Sequence, residues 1–429
     1  MAETDILVVG AGAAGIAAAR AVRAAGRACQ VLEARGRIGG RAWTERATLA
    51  APFDLGATWL HQAGDNPLAP LAEAAGARPF DHDAVRSHAC FVAGRPATPA
   101  EMAAYDAAYA AFHPALRAAR GRLGPAASAG EAAPRGGPWD ATVAHWEGPV
   151  ICAAPLVAMD LGDFLDTQLD PPNLLLPEGV GTLLEGLAAG LPIACGAVVE
   201  RIAWGGRRVV AEGGFGRIAA RAAIVTVPTA VLAAGALRFD PALPPAVEQA
   251  AHDLPLGLLS KIGLRASGAD RLGLAPFAGL ERQVAREDEA AMTFIAWPFG
   301  QDHLMGFLGG EAAWALSAEG PAALAAHARA ELRRAYGARA DRALLPADEE
   351  GAWLASDWGR DPFARGAYSH ARPGRASARG VLGAPLAGGR LCFAGEACHP
   401  RLAATLAGAW ESGAAAARAA LGHLLTETA

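Results

Sequence analysis

Short apolar runs alternate with alanine-rich stretches along this chain, and the residues at which the runs stop predict the elements. Asp5 to Val9 is apolar up to Gly10, Ala13 to Arg27 reads as an alanine-rich helix, and Cys29 to Leu32 is a second apolar run ending at Glu33. Strand, glycine turn, helix and strand follow in the order of a βαβ unit. Between Phe80 and about Asp170 come helical stretches, broken at Gly121 to Gly137 by a loop rich in glycine, proline and alanine. Pro177 to Leu191 reads as a glycine turn and helix, Ile193 to Val210 as two strands, and Ala222 to Val227 as a strand stopped by Pro228. Leu254 to Leu264 opens a mostly β-rich region reaching about Tyr368. Leu391 to Ala394 is the last strand, and it delivers Gly395 and Glu396 to the start of a final helix with its body at Thr405 to Leu425.

Both ends of the chain therefore build one domain. The pattern predicts an α/β fold in which a Rossmann-like dinucleotide-binding domain (1–79, 176–253 and 381–429) is interleaved with an α+β substrate domain (80–175 and 254–380). A length of 429 residues suits two domains and room for a large cofactor.

Four dispersed segments carry the chemistry: GAGAAG at Gly10 to Gly15, LEARGRIGGR at Leu32 to Arg41, GATWLH at Gly56 to His61, and FAGEACHP at Phe393 to Pro400. They make sense together as one flavin site. Gly10 permits a tight turn, Gly12 lets a pyrophosphate approach a helix N-terminus, and Gly15 lets that helix pack on the strand. Glu33 stands about 20 residues on, where a carboxylate binds both ribose hydroxyls of an adenosine and repels a 2'-phosphate. Arg35, Arg37 and Arg41 surround Gly39 and Gly40, and guanidinium forks there suit further phosphate contacts. Glu396 suits a ribityl hydroxyl at a second helix start.

Net charge is −5, the pI is near 6.1, and no Lys/Arg stripe is present, so neither nucleic acid nor an anionic membrane is an expected partner. A mildly acidic balance tolerates cationic substrates. The 52 % hydrophobic content is inflated by alanine, and no stretch combines transmembrane length with freedom from charge and proline. With no secretory pattern ahead of Asp5, a cytoplasmic location is expected. Cys29, Cys90, Cys152, Cys195, Cys392 and Cys398 read as reduced thiols, with a redox role conceivable for the last two, and their spacing predicts no metal site.

On these motifs the chain resembles the flavin-containing amine oxidase family from Asp5 to about Leu421. GATWLHQAGDNPL is most similar to polyamine and spermine oxidases, and LPLGLLSKIGL, DWGRDPFARGAYS and FAGEACHPRLAATLAGAWESG match later landmarks in order. The resemblance implies FAD, held by Gly10, Gly12, Ala14 and Gly15 of the first turn. Glu33 and Ala34 would meet the ribose, Arg35, Gly40 and Arg41 the diphosphate, and the Val199 backbone the adenine. Gly56, Ala57, Thr58 and Trp59 would approach the ring, beside Trp358. Gly395 and Glu396 would hold the ribityl chain, and Thr405 and Leu406 the pyrimidine end. Lys261 would hold a water near flavin N5, Tyr368 would form one wall of an aromatic cage opposite Thr405, and His61 would line the substrate tunnel. Ala367 stands where monoamine oxidases carry a flavin-linked cysteine, which implies non-covalent FAD.

The implied reaction passes hydride from the carbon beside a secondary amine, expected to be a polyamine, to the flavin. Imine hydrolysis and O2 as acceptor giving H2O2 would complete it. Other readings remain: a monoamine, amino-acid or desaturase-type flavoenzyme, or a non-catalytic binding protein of the GDP-dissociation-inhibitor type. Asp81, Asp83, Asp160 and Glu178 are candidate anchors for a distal ammonium. Trp297, Phe299 and Trp314 either line the cavity or fill the core, His399 is a helix-entry residue, and the chain is expected to be a monomer or homodimer.

Overall fold

The computed structural model describes residues 2–85 and 87–427. An eight-stranded sheet organises the part expected to bind a dinucleotide. Its parallel strands lie in the spatial order Ile193–Cys195, Cys29–Glu33, Ala2–Val9, Gly216–Val225 and Leu391–Phe393. The N-terminal half of Gly216–Val225 also pairs antiparallel with Val209–Gly213, which pairs in turn with Val199–Ala203. Ile193 to Val210 thus reaches three strands, not the two expected.

Alternation along the first strand explains why it is apolar throughout. Ile6 and Val8 face the helices Ala13–Ala24 and Leu406–Glu427, while Leu7 and Val9 face the layer containing Val247, Ala250, Leu254 and Leu382. The two helices on the first face meet through small side chains, with Ala14 and Ala18 packed near Ala416, Ala417 and Ala420. A Cβ on Gly413 would lie 2.0 Å from the Ala14 carbonyl oxygen, so this close approach depends on glycine.

A second, seven-stranded sheet runs Trp353–Ala355, Leu259–Arg265, His303–Gly309, Thr293–Ala296, Gly279–Arg282, His88–Val92 and Arg95–Pro96. The region expected to be mostly β-rich also contains the helices Gly310–Glu319, Pro321–Tyr336 and Ala338–Ala343, whose buried alanines and leucines close the core over this sheet. Alanine carries no period of its own, which hid them. The alanine-rich segment after Thr98 is a long helix, Pro99–Leu123, opened by a Thr98/Glu101 capping box. The loop expected at Gly121 to Gly137 encloses a short capped turn, Ala129–Ala132. Gly395 and Glu396 do not start the final helix. A short 3-10 turn, Glu396–Cys398, and a loop precede it, and Thr405 caps it by accepting from the Gly408 N–H at 3.0 Å.

Trp297 lies in the core of the second sheet and donates to the Arg271 carbonyl at 3.2 Å, Phe299 packs on Phe80 and Phe277, and Trp314 packs against the same core. All three fill space; none is on the cavity wall. Burial pushes the Cys392 and Cys398 thiols up to about 12, which disfavours the thiolate a redox role needs.

His303 is buried against the edge of Phe53, and neither ring nitrogen has a hydrogen-bond partner among the described residues. Burial holds its pKa down at about 4. Between about pH 6.5 and 4 the unfolded chain therefore takes up a proton that the folded chain refuses, and stability falls as pH falls through that window. His303→Leu is expected to flatten this part of a denaturant-stability profile against pH, by on the order of a few kcal/mol at the acid end. An unchanged acid limb would show that His303 does not contribute to it.

Candidate functional site

The C-terminal ends of the parallel strands open onto a single cavity of about 1270 Å³ that continues between the two sheets. This exceeds the roughly 300–1,000 Å³ of small-ligand clefts and leaves space for a dinucleotide and a second molecule. It lies where an open α/β sheet binds its ligand.

At the nucleotide end the wall contains Gly10, Gly12, Ala14, Glu33, Ala34, Arg35, Gly40, Arg41 and Val199. Gly15 is off the wall. A Cβ there would sit 1.9 Å from the Gly10 carbonyl oxygen, so Gly15 serves packing. Gly12 differs. Its φ is an ordinary −78°, and an added Cβ would come no closer than 3.9 Å to any protein atom. What the space beside Gly12 admits is a ligand. The helix behind it has no side-chain cap and no acid in its first turn, so its positive end is open. Glu33 is buried, and its carboxylate accepts from the N–H groups of Ala11 at 2.8 Å and Arg35 at 2.9 Å, which fixes its orientation. These residues fit a dinucleotide.

The arginines divide. Arg35 forks onto Asp361 at 2.7 Å and lies over the Phe363 ring. Arg41 donates to the Ala367 carbonyl at 2.6 Å and to Glu396 at 3.0 Å. Arg37 stacks on Trp43 at 4.3 Å, bonds the carbonyls of Ile38 and Gly40, and is absent from the wall, contrary to the expected phosphate contact.

Glu396 is held by a buried network that the sequence did not suggest. Its carboxylate accepts from Arg41, from the Ser369 hydroxyl at 2.6 Å and from the Ala404 N–H at 3.0 Å. Arg379 donates to the Ser369 hydroxyl at 2.9 Å and forms a two-point pair with Asp163 at 2.6 and 2.7 Å. The nearby guanidinium of Arg41, the Ser369 hydroxyl and Arg379 outweigh burial and hold the Glu396 pKa below the usual carboxylate value.

In the middle of the cavity, Leu55 to Trp59 passes beneath Trp358, whose indole N–H donates to the Leu55 carbonyl at 2.7 Å. A Cβ on Gly56 would lie 1.7 Å from the Arg41 carbonyl oxygen and 3.2 Å from Trp358, so only glycine brings these segments together. Lys261, on the strand Leu259–Arg265, is buried and donates to the carbonyls of Asp54 and Gly56 and to the Thr58 hydroxyl. Its Nζ also sits 5.4 Å from the Trp59 ring. Burial lowers its pKa to about 8, against the raising effect of Asp54. Asp54, buried at the start of the helix Val180–Ala188, is raised to about 6.

The far branch is walled by Tyr368, His61, the helix Pro99–Leu123 and a π-helical segment, Trp146–Cys152. Tyr368 donates its hydroxyl to the Ile151 carbonyl of that segment at 2.8 Å, which sets its ring. Thr405 and Leu406 lie on the cavity wall, with the Thr405 hydroxyl donating to the Leu402 carbonyl and accepting the Gly408 N–H as a helix cap. Of the four proposed ammonium anchors only Asp83 reaches the wall. Asp160 caps the helix Leu161–Asp166 and accepts from Gly374 N–H, and Asp81 and Glu178 lie elsewhere. Buried carboxylates on this part of the wall include Glu147, 3.3 Å from His113, and Glu281, 2.8 Å from His88, besides Asp163, which Arg379 takes. Tyr105, Tyr109, His113 and Arg117 recur every four residues and share one helical stripe. That spacing is the signal by which they were detectable. His399 accepts the Leu402 N–H and pairs with Glu411, holding the turn into the last helix.

Among the described residues no group of three or more His, Cys, Asp or Glu could hold a metal ion, and no helix is long and apolar enough to cross a membrane.

Fold and cavity together define an α/β protein of dinucleotide-binding type with an internal second chamber. The chain belongs to the family described as flavin containing amine oxidoreductase, whose pattern matches residues 13–421, and a flavin cofactor follows from that membership. It is 28 % identical to polyamine oxidase 4 of Oryza sativa subsp. japonica over 96 % of this chain and 88 % of that one. It is also 28 % identical to lysine-specific histone demethylase 1 homolog 3 of the same plant, over 96 % of this chain but only 53 % of that one. The chain thus spans about half the length of the demethylase homologues that it matches. A solved putrescine oxidase bound to putrescine shares the fold, with a TM-score of 0.74 at 19 % identity over 97 % of this chain and 98 % of that one.

Gly12→Ala is expected to leave the melting temperature of the flavin-free protein unchanged and to lower flavin retention through gel filtration. Gly15→Ala should instead destabilise by about 1–3 kcal/mol or more, because its Cβ has no space. Equal flavin content in wild type and Gly12→Ala would remove Gly12 from the cofactor wall.

Proposed function

We propose that this chain is an FAD-dependent amine oxidase acting on a polyamine or another secondary amine, with O2 as acceptor. One observation carries the reading: a single cavity joins the dinucleotide end to a branch walled by tyrosine, histidine and buried carboxylates, with Lys261 where the two meet. FAD, when bound, accepts the hydride equivalent from the carbon beside the amine nitrogen.

The chain's own residues do the rest. Glu33 orients the adenosine ribose, the open end of helix Ala13–Ala24 and Arg41 favour the diphosphate, and Glu396 takes a ribityl hydroxyl. The Tyr368 face, fixed by the Ile151 carbonyl, receives a partly cationic amine. Glu147 and Glu281 are carboxylates of the far branch toward which a second ammonium would be directed. Burial lowers the Lys261 pKa to about 8, so as pH rises through that value its Nζ gains a lone pair able to accept from a water beside the reacting centre. Ala367 offers no thiol, so FAD is held without a covalent link.

Anaerobic bleaching of the flavin by spermine, spermidine, their acetylated forms, simple monoamines, amino acids and a methyl-lysine peptide tests the substrate. Rapid bleaching by polyamines is expected. Bleaching only by the peptide would move the reading to the demethylase side, and bleaching by none of the panel would favour a binding role. Acid precipitation should release the flavin to the supernatant; a yellow pellet would contradict non-covalent binding. Lys261→Met should retain flavin, and a pH limb near 8 in its reaction with oxygen should disappear. Persistence of that limb would assign it to another group.

A further inference from the structure

Lys261 is the only lysine in the 429 residues; arginine stands at every other Lys/Arg position. It is buried in the strand Leu259–Arg265, with Phe307 opposite it on one side and Ser356 bonded to its backbone on the other. A buried ammonium needs acceptors and a counter-charge. Its acceptors are the carbonyls of Asp54 and Gly56 and the Thr58 hydroxyl, which passes its own proton to the Gly56 carbonyl at 3.2 Å. All three are neutral, and among the described residues no carboxylate forms a direct ion pair with Nζ.

The residue that offers Nζ a carbonyl at 3.3 Å also carries a buried carboxylate, and the partners of that carboxylate have a direction. The Thr44 hydroxyl accepts the Gly181 N–H at 2.9 Å, so its own proton is committed to Asp54, 2.5 Å away. The Val180 N–H donates to both Asp54 oxygens, at 3.1 and 3.2 Å. These donors, at the positive end of the nine-residue helix Val180–Ala188, favour the anion. Gly179, with φ +85°, permits the approach, since a Cβ there would lie 2.8 Å from Asp54 Oδ1. Burial opposes the anion and raises Asp54 to about 6, against the pull of Lys261; burial lowers Lys261 to about 8, against the pull of Asp54. Between those values both groups are charged. His61 also faces Lys261, but burial disfavours its cation, and the flanking rings of Trp59 and Phe307 carry no charge.

We infer that Asp54 is a positioning residue for Lys261: its carboxylate, oriented by Thr44 and the start of the helix Val180–Ala188, is the counter-charge that holds Nζ as an ammonium. An ammonium only donates, and its donors here are taken by Asp54, Gly56 and Thr58; the amine has a lone pair. Asp54 thereby decides how far pH must rise before Nζ can accept from a water. The part that Nζ plays in the flavin reaction rests on the amine-oxidase reading; the coupling of the two charges does not.

Because the chain has one lysine, 13Cε-labelled lysine gives one side-chain signal in the oxidised, flavin-loaded protein, with no assignment variant needed. Its pH titration is expected to show a main step at about 8 and a smaller one at about 6, where Asp54 ionises. Asp54→Asn keeps an acceptor for the Val180 N–H. It should abolish the smaller step and move the main one down by about one pH unit, because the anion that favours the ammonium is gone. A wild-type curve with a single step overturns the coupling, and that measurement needs no variant to fold. An Asp54→Asn midpoint at or above that of the wild type overturns it as well. The pH limb of the reaction with oxygen should move down with the midpoint in Asp54→Asn. A limb that stays in place while the midpoint moves would sink the role of Lys261 in that reaction and leave the coupling standing.

Discussion

The Glu396 carboxylate is the point on which the rest of the site depends. It is buried, it stands after the last strand of the parallel sheet, and it ties together Arg41 from the second glycine turn, Ser369, which bridges to Leu256, and the loop entering the final helix. Arg379 extends the network to Asp163 on the far branch. Taking one partner out of such a buried set leaves an uncompensated charge, at a cost of about 3–5 kcal/mol. The same contacts that stabilise Glu396 as an anion also fix the distance between the nucleotide end of the cavity and its second chamber.

A second constraint is close backbone approach. Gly56 under Trp358 and Gly413 against Ala14 are places where any side chain would collide with main chain. The π-helical segment Trp146–Cys152 is seated in the same way: Gly309 admits the Pro149 carbonyl, and Gly257 the carbonyl of Ala153. Its wide turn leaves the Ile151 carbonyl available to Tyr368. The aromatic wall of the far branch is therefore positioned by backbone packing several residues away from it.

Much of the nucleotide end was legible in the chain. A glycine turn, an acid after the second strand and a Gly-Glu pair after the last strand are local patterns, and they lie on one cavity wall because parallel strands all present the same end. Arg37 was misjudged because its neighbours in sequence do not reveal that Trp43 takes its guanidinium. The far branch was poorly legible. Alanine conceals helical period, and Glu147, Glu281, Asn173 and Arg379 have no motif, since each acquires its partner from a remote segment.

The amino-acid sequence by itself determined the α/β class, the family and the glycine turn and acid that line the nucleotide end of the cavity, because those depend on residues adjacent along the chain. The tertiary structure decided which carboxylates face the second chamber and how Lys261 is caged by Asp54, Gly56 and Thr58. Burial and hydrogen-bond direction set those properties. Both arise only when segments distant in sequence exclude water from one another.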